Sequence, residues 1–478
     1  MMMLALSFVL WGPRAGAHPA TTSCRSIATV TTTTDDKVCN NSSSSISGVN
    51  FTWPGFPGPV RFDPLKHLAL QRPARIVRLA DFASAAYAPD AEDLATDFAQ
   101  TSLFNVLSPE GLALLSAEID RLQEHAVSSP RIPRVLRGTT LRSRFLRDFC
   151  HSPELAAFVS DLAGTELIAH PMEIMNGHVN LAPRDASKAV DRWHHDTTPF
   201  VMVLFVTPHW KYEGGEFEFF LGTKEEAEVL LLGNGNGEGE GDKGPTGELP
   251  PERCRTVGPQ VAGSAVFQQG SEVYHRARGV VTRSDSSRGN RTTFVQSFVA
   301  TNALAREACT RLSDTYNGVD PLEVLLPDWA RYRCWRALRL CDHWLTTEGR
   351  QGEEDKGGGA DEVGSSSSSS SSSSSAEGST RQQDQQQRRH RHSFVAAAVA
   401  SVAEKLREAT IAAIPYNTAD RGAIAAALKA TITATERAEL LSWGGGGGRS
   451  SVLRSVVGTV EGAAHDVASL REPTMSYF

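Results

Sequence analysis

Residues 167–300 hold short β-branched and aromatic segments that alternate with glycine and proline. The clearest examples are the sequences PFVMVLFVTP, GGEFEFFLG, GSAVFQQG and RTTFVQSFVA. Segments of this length and composition are typical of strands, and the glycines and prolines between them are typical of turns. This pattern predicts an all-β unit over the range, which is the strongest constraint that the sequence places on the fold.

Helical patterns flank the β unit on both sides. Before it, SPEGLALLSAEIDRLQEHA begins with Ser108 as a cap and Pro109 in the first turn, and its Leu and Ile residues recur at helical spacing. After it, PDWARYRCWRALRLCDHWL and two Ala-rich runs near the C-terminus have a similar pattern. The fold class is therefore predicted as α+β, a β core with flanking helices and a C-terminal helical extension.

Changes in composition divide the chain into six segments. A Gly, Glu and Pro tract interrupts the β unit and must loop out of the sheet, and eleven consecutive serines at 365–375 mark a low-complexity linker. The predicted segments are a leader with a Ser- and Thr-rich disordered stretch (1–65), an N-terminal helical support (66–166), the β unit with a loop insert at 224–252 (167–300), a second helical support (301–349), the linker (350–392) and a C-terminal helical tail (393–478).

The composition excludes several classes of protein. The chain has 48 Lys and Arg against 55 Asp and Glu, a net charge of −7, and no sustained basic stretch, so nucleic acid is not an expected partner. The seven cysteines lack the spacing of a zinc knuckle and the density of a disulfide scaffold, which predicts that most are buried thiols. The composition does not indicate an oligomeric state.

The N-terminus leaves the location of the protein open. The start MMMLALSFVLWG resembles the core of a signal peptide, but no Lys or Arg precedes it. The Ser- and Thr-rich sequence that follows suits a secreted leader or an organelle transit segment, and an apolar start without function is an equal alternative. No other apolar run reaches the ~18 residues that a membrane span needs, so we expect a soluble body without a transmembrane segment.

The sequence RWHHDTTPF at 192–200 carries two histidines and an aspartate just before an apolar strand. Because side chains alternate along a strand, His194 and Asp196 share one face and His195 points to the other. His275, in SEVYHRARGV, is the best candidate for a third ligand. Two histidines and one carboxylate on one face of an octahedron form the facial triad of non-haem Fe(II) oxygenases. An H-x-D pattern alone is more often coincidence, so this hypothesis depends on the stretches around it.

The last β segment, GNRTTFVQSF, offers a receptor for a carboxylate. Alternation places Arg291 and Thr293 on one face, where a guanidinium beside a hydroxyl would bind a carboxylate in bidentate fashion. Arg283 and Arg288 are rival anchors in the Ser- and Gly-rich stretch just before it. Arg291 is preferred because it alone begins an apolar alternating strand.

A further polar face belongs to MEIMNGHVNLAP, where Asn176, His178 and Asn180 alternate. These side chains either contact a substrate or co-substrate, or they are sheet residues whose hydrogen bonds are satisfied by neighbours. The pattern leaves both alternatives open.

Four stretches, in this order, resemble the double-stranded β-helix (jelly-roll, cupin-like) of Fe(II)/2-oxoglutarate-dependent dioxygenases, particularly of prolyl 4-hydroxylase-like domains. They are WHHDTTPFVMVLFV, YEGGEFEFF, GSAVFQQGSEVYH and GNRTTFVQSF, and the resemblance covers the β unit. It implies a catalytic Fe(II) site whose ligands are His194, Asp196 and His275. It also implies that Arg291, with Thr293 beside it, anchors the co-substrate 2-oxoglutarate, and it adds ascorbate as a candidate accessory cofactor.

The chain departs from the family pattern near the anchor. Prolyl hydroxylases typically carry Lys where this chain has Arg291, and the stretch TRSDSSRG lengthens the connection before it. Asp196 separates the chain from relatives that halogenate, because those relatives lack this carboxylate. The resemblance therefore implies hydroxylation or another oxidation.

The resemblance implies a dioxygenase that consumes O2 and 2-oxoglutarate, hydroxylates a small molecule or a peptidyl side chain, and releases succinate and CO2. The alternative is a cupin-like barrel that binds a metal or ligand without turnover and acts as an interaction protein. A zinc hydrolase is disfavoured because no HExxH or comparable cluster supplies a base beside the ligands. The substrate itself cannot be read, since the loops that line a pocket decide it.

Overall fold

The computed structural model describes residues 60–83, 94–129, 131–185, 188–232, 248–282, 291–306, 312, 319–347, 375–414, 418–443 and 450–470. Within these ranges the chain forms fourteen strands in two antiparallel sheets. The strands are β1 (Ile76–Arg78), β2 (Phe98–Thr101), β3 (Phe104–Asn105), β4 (Val135–Leu136), β5 (Leu167–Ala169), β6 (His178–Leu181), β7 (Ala189–His194), β8 (Phe200–Phe205), β9 (Tyr212–Gly214), β10 (Phe217–Phe220), β11 (Cys254–Thr256), β12 (Ser264–Gln268), β13 (His275–Thr282) and β14 (Thr292–Ala300).

The strand order shows how the chain winds between the sheets. The larger sheet has the order β1-β2-β12-β8-β14-β6-β4, with β3 beside β12 and β5 beside β14. The smaller sheet has the order β11-β10-β13-β7, with β9 beside β13. From β6 onward the chain passes back and forth between the two sheets, so neighbouring strands of one sheet come from distant parts of the sequence.

Strand β8 illustrates how the sheets pack. Val201 and Val203 point into the space between the sheets, where they meet Phe217 of β10. Met202 and Leu204, one position further along in each case, point the opposite way into a core shared with the N-terminal helices. Because both faces are covered, the whole run FVMVLF is buried and apolar.

Helices cover the larger sheet and form the C-terminal part of the chain. In the described ranges the α-helices are α1 (Pro64–His67), α2 (Ala80–Ala83), α3 (Pro109–Leu122), α4 (Arg144–Cys150), α5 (Pro153–Ala163), α6 (Lys224–Leu232), α7 (Leu322–Thr347), α8 (Ser375–Glu408), α9 (Arg421–Ala430), α10 (Ala434–Ser442) and α11 (Ser450–Ser469). Helix α3 begins as its sequence predicts, since the Ser108 hydroxyl accepts a hydrogen bond from the backbone N–H of Gly111. Helices α3, α4 and α5 share one core with the larger sheet.

The region 66–166, predicted as a mostly helical support, contains strands as well as helices. Strands β1–β4 alternate with α1–α5, and all four join the larger sheet. These strands are two to four residues long, too short to produce an alternating pattern that stands out from the helices around them.

The insert predicted as a loop at 224–252 also begins with regular structure. Helix α6 occupies its first nine residues, which are rich in Glu and Leu, with Glu225 and Glu226 in the first turn. Ala227 of α6 packs with Leu249 and Trp193 against the smaller sheet. The Gly-rich tract 233–247 lies outside the described residues.

The C-terminal helices share one hydrophobic core with α7. Its largest buried members are Trp329, Tyr332 and Trp344 of α7. Helix α8 begins at Ser375, inside the stretch 350–392 that its composition predicts to be a linker, because Gln and Arg are good helix formers even where they cannot form a core. Residues 348–374, and residues 1–59 of the segment 1–65 predicted as a leader, lie outside the described residues. None of the described helices combines the length and the apolar content needed to cross a membrane.

The described cysteines agree with the prediction of buried thiols in three of four cases. Cys150, Cys334 and Cys341 are buried, and Cys254 is half-buried. Burial raises the pKa of Cys334 and of Cys341 to about 12, so both thiols are protonated and unreactive at neutral pH.

A buried carboxylate joins the C-terminal helices to the β unit. Asp328 of α7 is fully buried, and its Oδ2 accepts a hydrogen bond from the backbone N–H of Ile174 at 3.2 Å. Burial raises the pKa of Asp328 to about 7, and the nearby carboxylate of Glu173 adds to the shift. Ionisation of Asp328 is therefore unfavourable in the folded protein.

We expect Asp328→Asn to change how stability depends on pH. Between about pH 4 and pH 7 the folded protein holds a proton on Asp328 that the unfolded chain lacks, so the stability of the wild type falls as pH rises through this window. Asparagine keeps an acceptor for Ile174 and cannot ionise. Its free energy of unfolding should exceed that of the wild type by at least about 1 kcal/mol at pH 8 and approach it near pH 4. Urea unfolding measures this, and parallel pH profiles would contradict it.

Candidate metal centre

Two histidines face each other across adjacent strands of the smaller sheet. His194 at the end of β7 is paired with His275 at the start of β13, and their ring centroids are 4.2 Å apart. Asp196 follows β7 and is held by its backbone N–H, which donates to the carbonyl of Gly270 at 2.8 Å. One ligand atom from each of the three side chains lies within 4.8 Å of the others. In the described part of the chain, no other group of His, Cys, Asp or Glu residues meets this criterion.

Backbone carbonyls orient both imidazoles toward the carboxylate. A carbonyl oxygen can only accept, so Nδ1–H of His194 donates to the carbonyl of Arg192 at 2.6 Å. In the same way, Nδ1–H of His275 donates to the carbonyl of Val273 at 2.8 Å. The Nε2 atoms of His194 and His275 then face Asp196 at 3.5 and 3.4 Å. This is the arrangement that fixes the tautomer of a metal-binding histidine.

The protonation states also suit a metal. Burial lowers the pKa of His275 to about 3, which leaves its imidazole neutral. Burial alone would raise the pKa of Asp196, but its electrostatic interactions with His275, His194 and Arg131 outweigh the effect of burial and hold that pKa below its usual range. A neutral imidazole and an ionised carboxylate are the forms that bind cations.

His195 points away from this cluster, as strand alternation predicts. Its Nε2 lies 3.5 Å from Oε1 of Glu228 on α6, and its ring lies 5.8 Å from that of Tyr274. The insert that contains α6 therefore packs on the outer side of the smaller sheet, while the cluster lies on the inner side.

A buried guanidinium without a full set of partners lies in the same pocket. Arg291 and Thr293 line the pocket together with the three clustered residues. Arg291 is 1% exposed, and its Nε and Nη1 have no hydrogen-bond partner among the described residues. Burial lowers the pKa of Arg291, although the Tyr212 hydroxyl opposes the shift. An unsatisfied buried cation is unfavourable, so this position is suited to an anion that enters the pocket.

Two glycines make room for this arginine. Gly214 and Gly215 have φ values of 76° and 67°, which favour glycine. A Cβ on Gly215 would lie 2.6 Å from Cδ of Arg291, and one on Gly214 would lie 2.4 Å from the carbonyl oxygen of Gly279 in β13. The GG pair in YEGGEFEFF therefore allows both the pairing of β9 with β13 and the extended path of the Arg291 side chain.

Two of the three polar residues on the MEIMNGHVNLAP face reach the pocket. His178 and Asn180 line it, and His178 Nδ1 and Asn180 Oδ1 have no hydrogen-bond partner within the described ranges. Asn176 does not reach it, because its amide donates to the carbonyl of His170 and accepts from Gln296. Gly177, with φ of 64°, breaks the strand between them, so alternation from Asn176 to His178 fails.

Sequence reasoning missed Asp191 and Arg131, which also line the pocket. Oδ1 of Asp191 lies 3.1 Å from Nε of Arg131 and 3.6 Å from Nδ1 of His194. Regular alternation from His194 would point Asp191 out of the pocket, but the register between β7 and β13 shifts in this stretch. No pattern in a single sequence marks such a bulge. Arg283 and Arg288, the rival anchors, lie outside the described residues.

Comparisons with known proteins find solved structures that resemble part of the chain at low identity. No family model and no curated protein sequence matches it. The non-haem α-ketoglutarate-dependent epimerase SnoN from nogalamycin biosynthesis is 21% identical over 42% of this chain and 79% of its own, with a TM-score of 0.29. A 2OG-Fe(II) oxygenase family protein from Burkholderia pseudomallei is 14% identical over 48% and 93%, with a TM-score of 0.26. A prolyl-4-hydroxylase from Pseudomonas putida is 16% identical over 45% and 98%, with a TM-score of 0.28.

Gly270→Ala should disrupt the cluster without a change to any of its three side chains. A Cβ at this position would lie 2.3 Å from Oδ2 of Asp196, so the carboxylate has to move. We expect the affinity for Mn(II), measured by isothermal titration calorimetry, to fall at least about tenfold. Gly258→Ala is the matched control, because no atom lies within 4 Å of its added Cβ. Equal affinity in Gly270→Ala and wild type would remove Asp196 from the ligand set.

Proposed function

We propose that the protein is an Fe(II)- and 2-oxoglutarate-dependent dioxygenase that oxidises a small molecule or a peptidyl side chain and releases succinate and CO2. One observation carries the proposal. A single pocket contains a cluster of two histidines and one carboxylate together with a buried, unsatisfied guanidinium. The cluster suits a metal, and the guanidinium suits a carboxylate that reaches the metal from within the pocket.

The strand order supports a double-stranded β-helix. The larger sheet contains the order β12-β8-β14-β6, and the smaller sheet has the order β11-β10-β13-β7. Both orders are expected when a pair of antiparallel strands winds into a helix. The site lies between the two sheets, near the end of β7 and the start of β13. In a double-stranded β-helix this position would be the mouth of the barrel, where such folds bind ligands.

The donor set supports iron. His194, Asp196 and His275 would hold the ion on one face and leave its other positions open to ligands. Bound Fe(II) supplies the activation of O2 and the oxidative decarboxylation of 2-oxoglutarate. The protein would orient the ligands, because the carbonyls of Arg192 and Val273 fix the two imidazoles before any metal binds.

The rest of the pocket supports a small dicarboxylate as co-substrate. Arg291 and Thr293 would bind the carboxylate far from the metal. Val203, Phe217 and Val295 form apolar walls, which keep bulk water away and strengthen the charge-assisted contact. The runner-up, a barrel that binds the same ligands without turnover, predicts binding but no succinate.

Turnover tests the proposal directly. We expect the wild type to release succinate in a reaction that needs Fe(II), 2-oxoglutarate and O2, and we expect His275→Ala and Asp196→Ala to abolish both succinate release and metal retention. His195→Ala is the matched control, because His195 is adjacent in sequence but lies on the outer side of the sheet. Normal succinate release in either ligand variant would remove that residue from the site. Tight binding of both ligands without any succinate would favour the runner-up.

The proposed role of Arg291 as the anchor for 2-oxoglutarate leads to a second prediction. Loss of a bidentate charge-assisted contact in a desolvated pocket should cost about 2–4 kcal/mol, or roughly 30- to 1000-fold in affinity. Arg291→Ala should therefore raise the apparent constant for 2-oxoglutarate more than about tenfold with the metal still bound. Arg291→Lys should recover only part of this, because an ammonium cannot reproduce the planar fork. Arg283→Ala and Arg288→Ala should change the constant less than about threefold, and a large effect at Arg288 with none at Arg291 would move the anchor.

A further inference from the structure

Two polar side chains of β6 face the space between the sheets. His178 lies opposite Val295 of β14 in the sheet register, and the next residue on the same face is Asn180, which lies opposite Thr293. Val179, between them, packs the other way into the core shared with the N-terminal helices. His178 and Asn180 therefore point into the pocket of the metal cluster, which both of them line.

A neighbouring carboxylate fixes the orientation of the Asn180 amide. Nδ2 of Asn180 donates to Oδ2 of Asp191 at 3.5 Å, and Asp191 is paired with Arg131. A carboxylate can only accept hydrogen bonds, so the amide nitrogen of Asn180 faces Asp191 and the amide oxygen faces away from it. That oxygen, Oδ1, is buried and has no hydrogen-bond partner among the described residues. Asn180, which is 7% exposed, therefore presents a buried acceptor to the pocket.

The proposed co-substrate cannot satisfy this acceptor. At neutral pH both carboxylates of 2-oxoglutarate are ionised and its remaining oxygen belongs to a ketone, so the molecule offers acceptors and no donor. A buried acceptor without a donor is unfavourable. The donor for Oδ1 of Asn180 must therefore come from a second molecule, and in the proposed reaction that molecule is the primary substrate.

His178 favours a hydroxyl as the group that supplies this donor. Burial lowers the pKa of His178 to about 3, so its imidazole is neutral, with one donor and one acceptor nitrogen. Its Nδ1 is buried and has no hydrogen-bond partner within the described ranges. A hydroxyl both donates and accepts, so it fits Nδ1 in either tautomer as well as the acceptor of Asn180. An ammonium group only donates, and Arg131 and Arg291 already place positive charge in this pocket.

The spacing of the two side chains favours two hydroxyls over one. The Cα atoms of His178 and Asn180, two positions apart in a strand, are separated by about 7 Å. A single hydroxyl oxygen lies about 2.8 Å from each partner, so it bridges at most about 5.6 Å. Hydroxyls on two neighbouring carbons span the longer distance, with one oxygen at each side chain.

We propose that His178 and Asn180 bind neighbouring hydroxyl groups of the primary substrate, which is a neutral, polyhydroxylated small molecule. The proposal rests on the proposed function, because it assigns the substrate class of the same pocket. The apolar walls formed by Val203, Phe217 and Val295 would contact the carbon skeleton of that molecule. His178 and Asn180 then determine specificity and take no part in holding the metal.

A small diol tests the proposal without knowledge of the substrate. The protein is first saturated with Mn(II) and 2-oxoglutarate, so that the metal cluster and Arg291 are occupied. Cyclohexane-1,2-diol is then titrated in, and the enhancement of its proton relaxation by bound Mn(II) reports binding close to the metal. Two matched probes are titrated in the same way. The dimethyl ether of the diol keeps both oxygens but has no donor, and cyclohexylammonium carries a positive charge in place of the hydroxyls.

We expect the diol to bind saturably, and the ether and the ammonium to bind at least about fivefold more weakly. Asn180→Leu and His178→Phe should each weaken diol binding at least about fivefold, because each removes a hydrogen bond inside a desolvated pocket. Both should leave the affinity for Mn(II) unchanged, since neither residue belongs to the cluster. His209→Phe is the matched control, because His209 does not line the pocket and its Nδ1 lies 3.1 Å from the carbonyl oxygen of Gln260.

Three results would overturn the proposal: equal binding of the diol and its ether, tighter binding of the ammonium, or equal diol binding by the wild type and Asn180→Leu. The lack of any saturable effect would also overturn it, and is the result expected if water alone satisfies these side chains. The comparison of the three probes uses only the wild type, so it decides the question even where a variant fails to fold.

Failure of the proposed function is visible separately, because it would appear in the first step as a failure of Mn(II) or 2-oxoglutarate to bind. In that case the same three probes are titrated into the metal-free protein and followed by saturation-transfer NMR. Preference for the diol there would support the hydroxyl site by itself, and equal binding of the three probes would overturn it.

Discussion

The pairing of β7 with β13 is the constraint on which the site depends. It sets His194 opposite His275, and each Nδ1–H donates to a backbone carbonyl two residues earlier in the chain, which fixes both imidazoles. Asp196 completes the cluster through a backbone hydrogen bond to Gly270, where any side chain would displace the carboxylate. The geometry of the cluster is thus set by backbone contacts in the apolar interior, which explains how three polar side chains stay in place between two hydrophobic sheets.

Several buried polar groups that line the pocket have no hydrogen-bond partner among the described residues. The Nε and Nη1 atoms of Arg291, Nδ1 of His178 and Oδ1 of Asn180 all face it without hydrogen-bond partners among the described residues. Each such group destabilises a folded protein unless a ligand or water satisfies it. Their convergence on one small cavity is a physical argument for a polar ligand, and it is independent of any resemblance to other proteins.

Much of this arrangement can be predicted from the sequence because strands alternate regularly. Alternation predicts that Arg291 and Thr293 share a face and that His195 leaves the cluster, and the structure has both features. It fails where the backbone departs from a regular strand. Gly177 removes Asn176 from the pocket, and the register shift in β7 brings Asp191 into it. Short strands such as β4 and the helix α6 were missed for a related reason, since segments of this size carry little periodic signal.

We propose that one pocket binds a metal and 2-oxoglutarate together. Anaerobic titration of the Fe(II) protein with 2-oxoglutarate, followed by visible absorption, tests it most directly. We expect a weak metal-to-ligand charge-transfer band that saturates at one equivalent of 2-oxoglutarate and is absent when either Fe(II) or Asp196 is removed. Binding of both ligands without such a band, or a band that persists unchanged in Asp196→Ala, would contradict it.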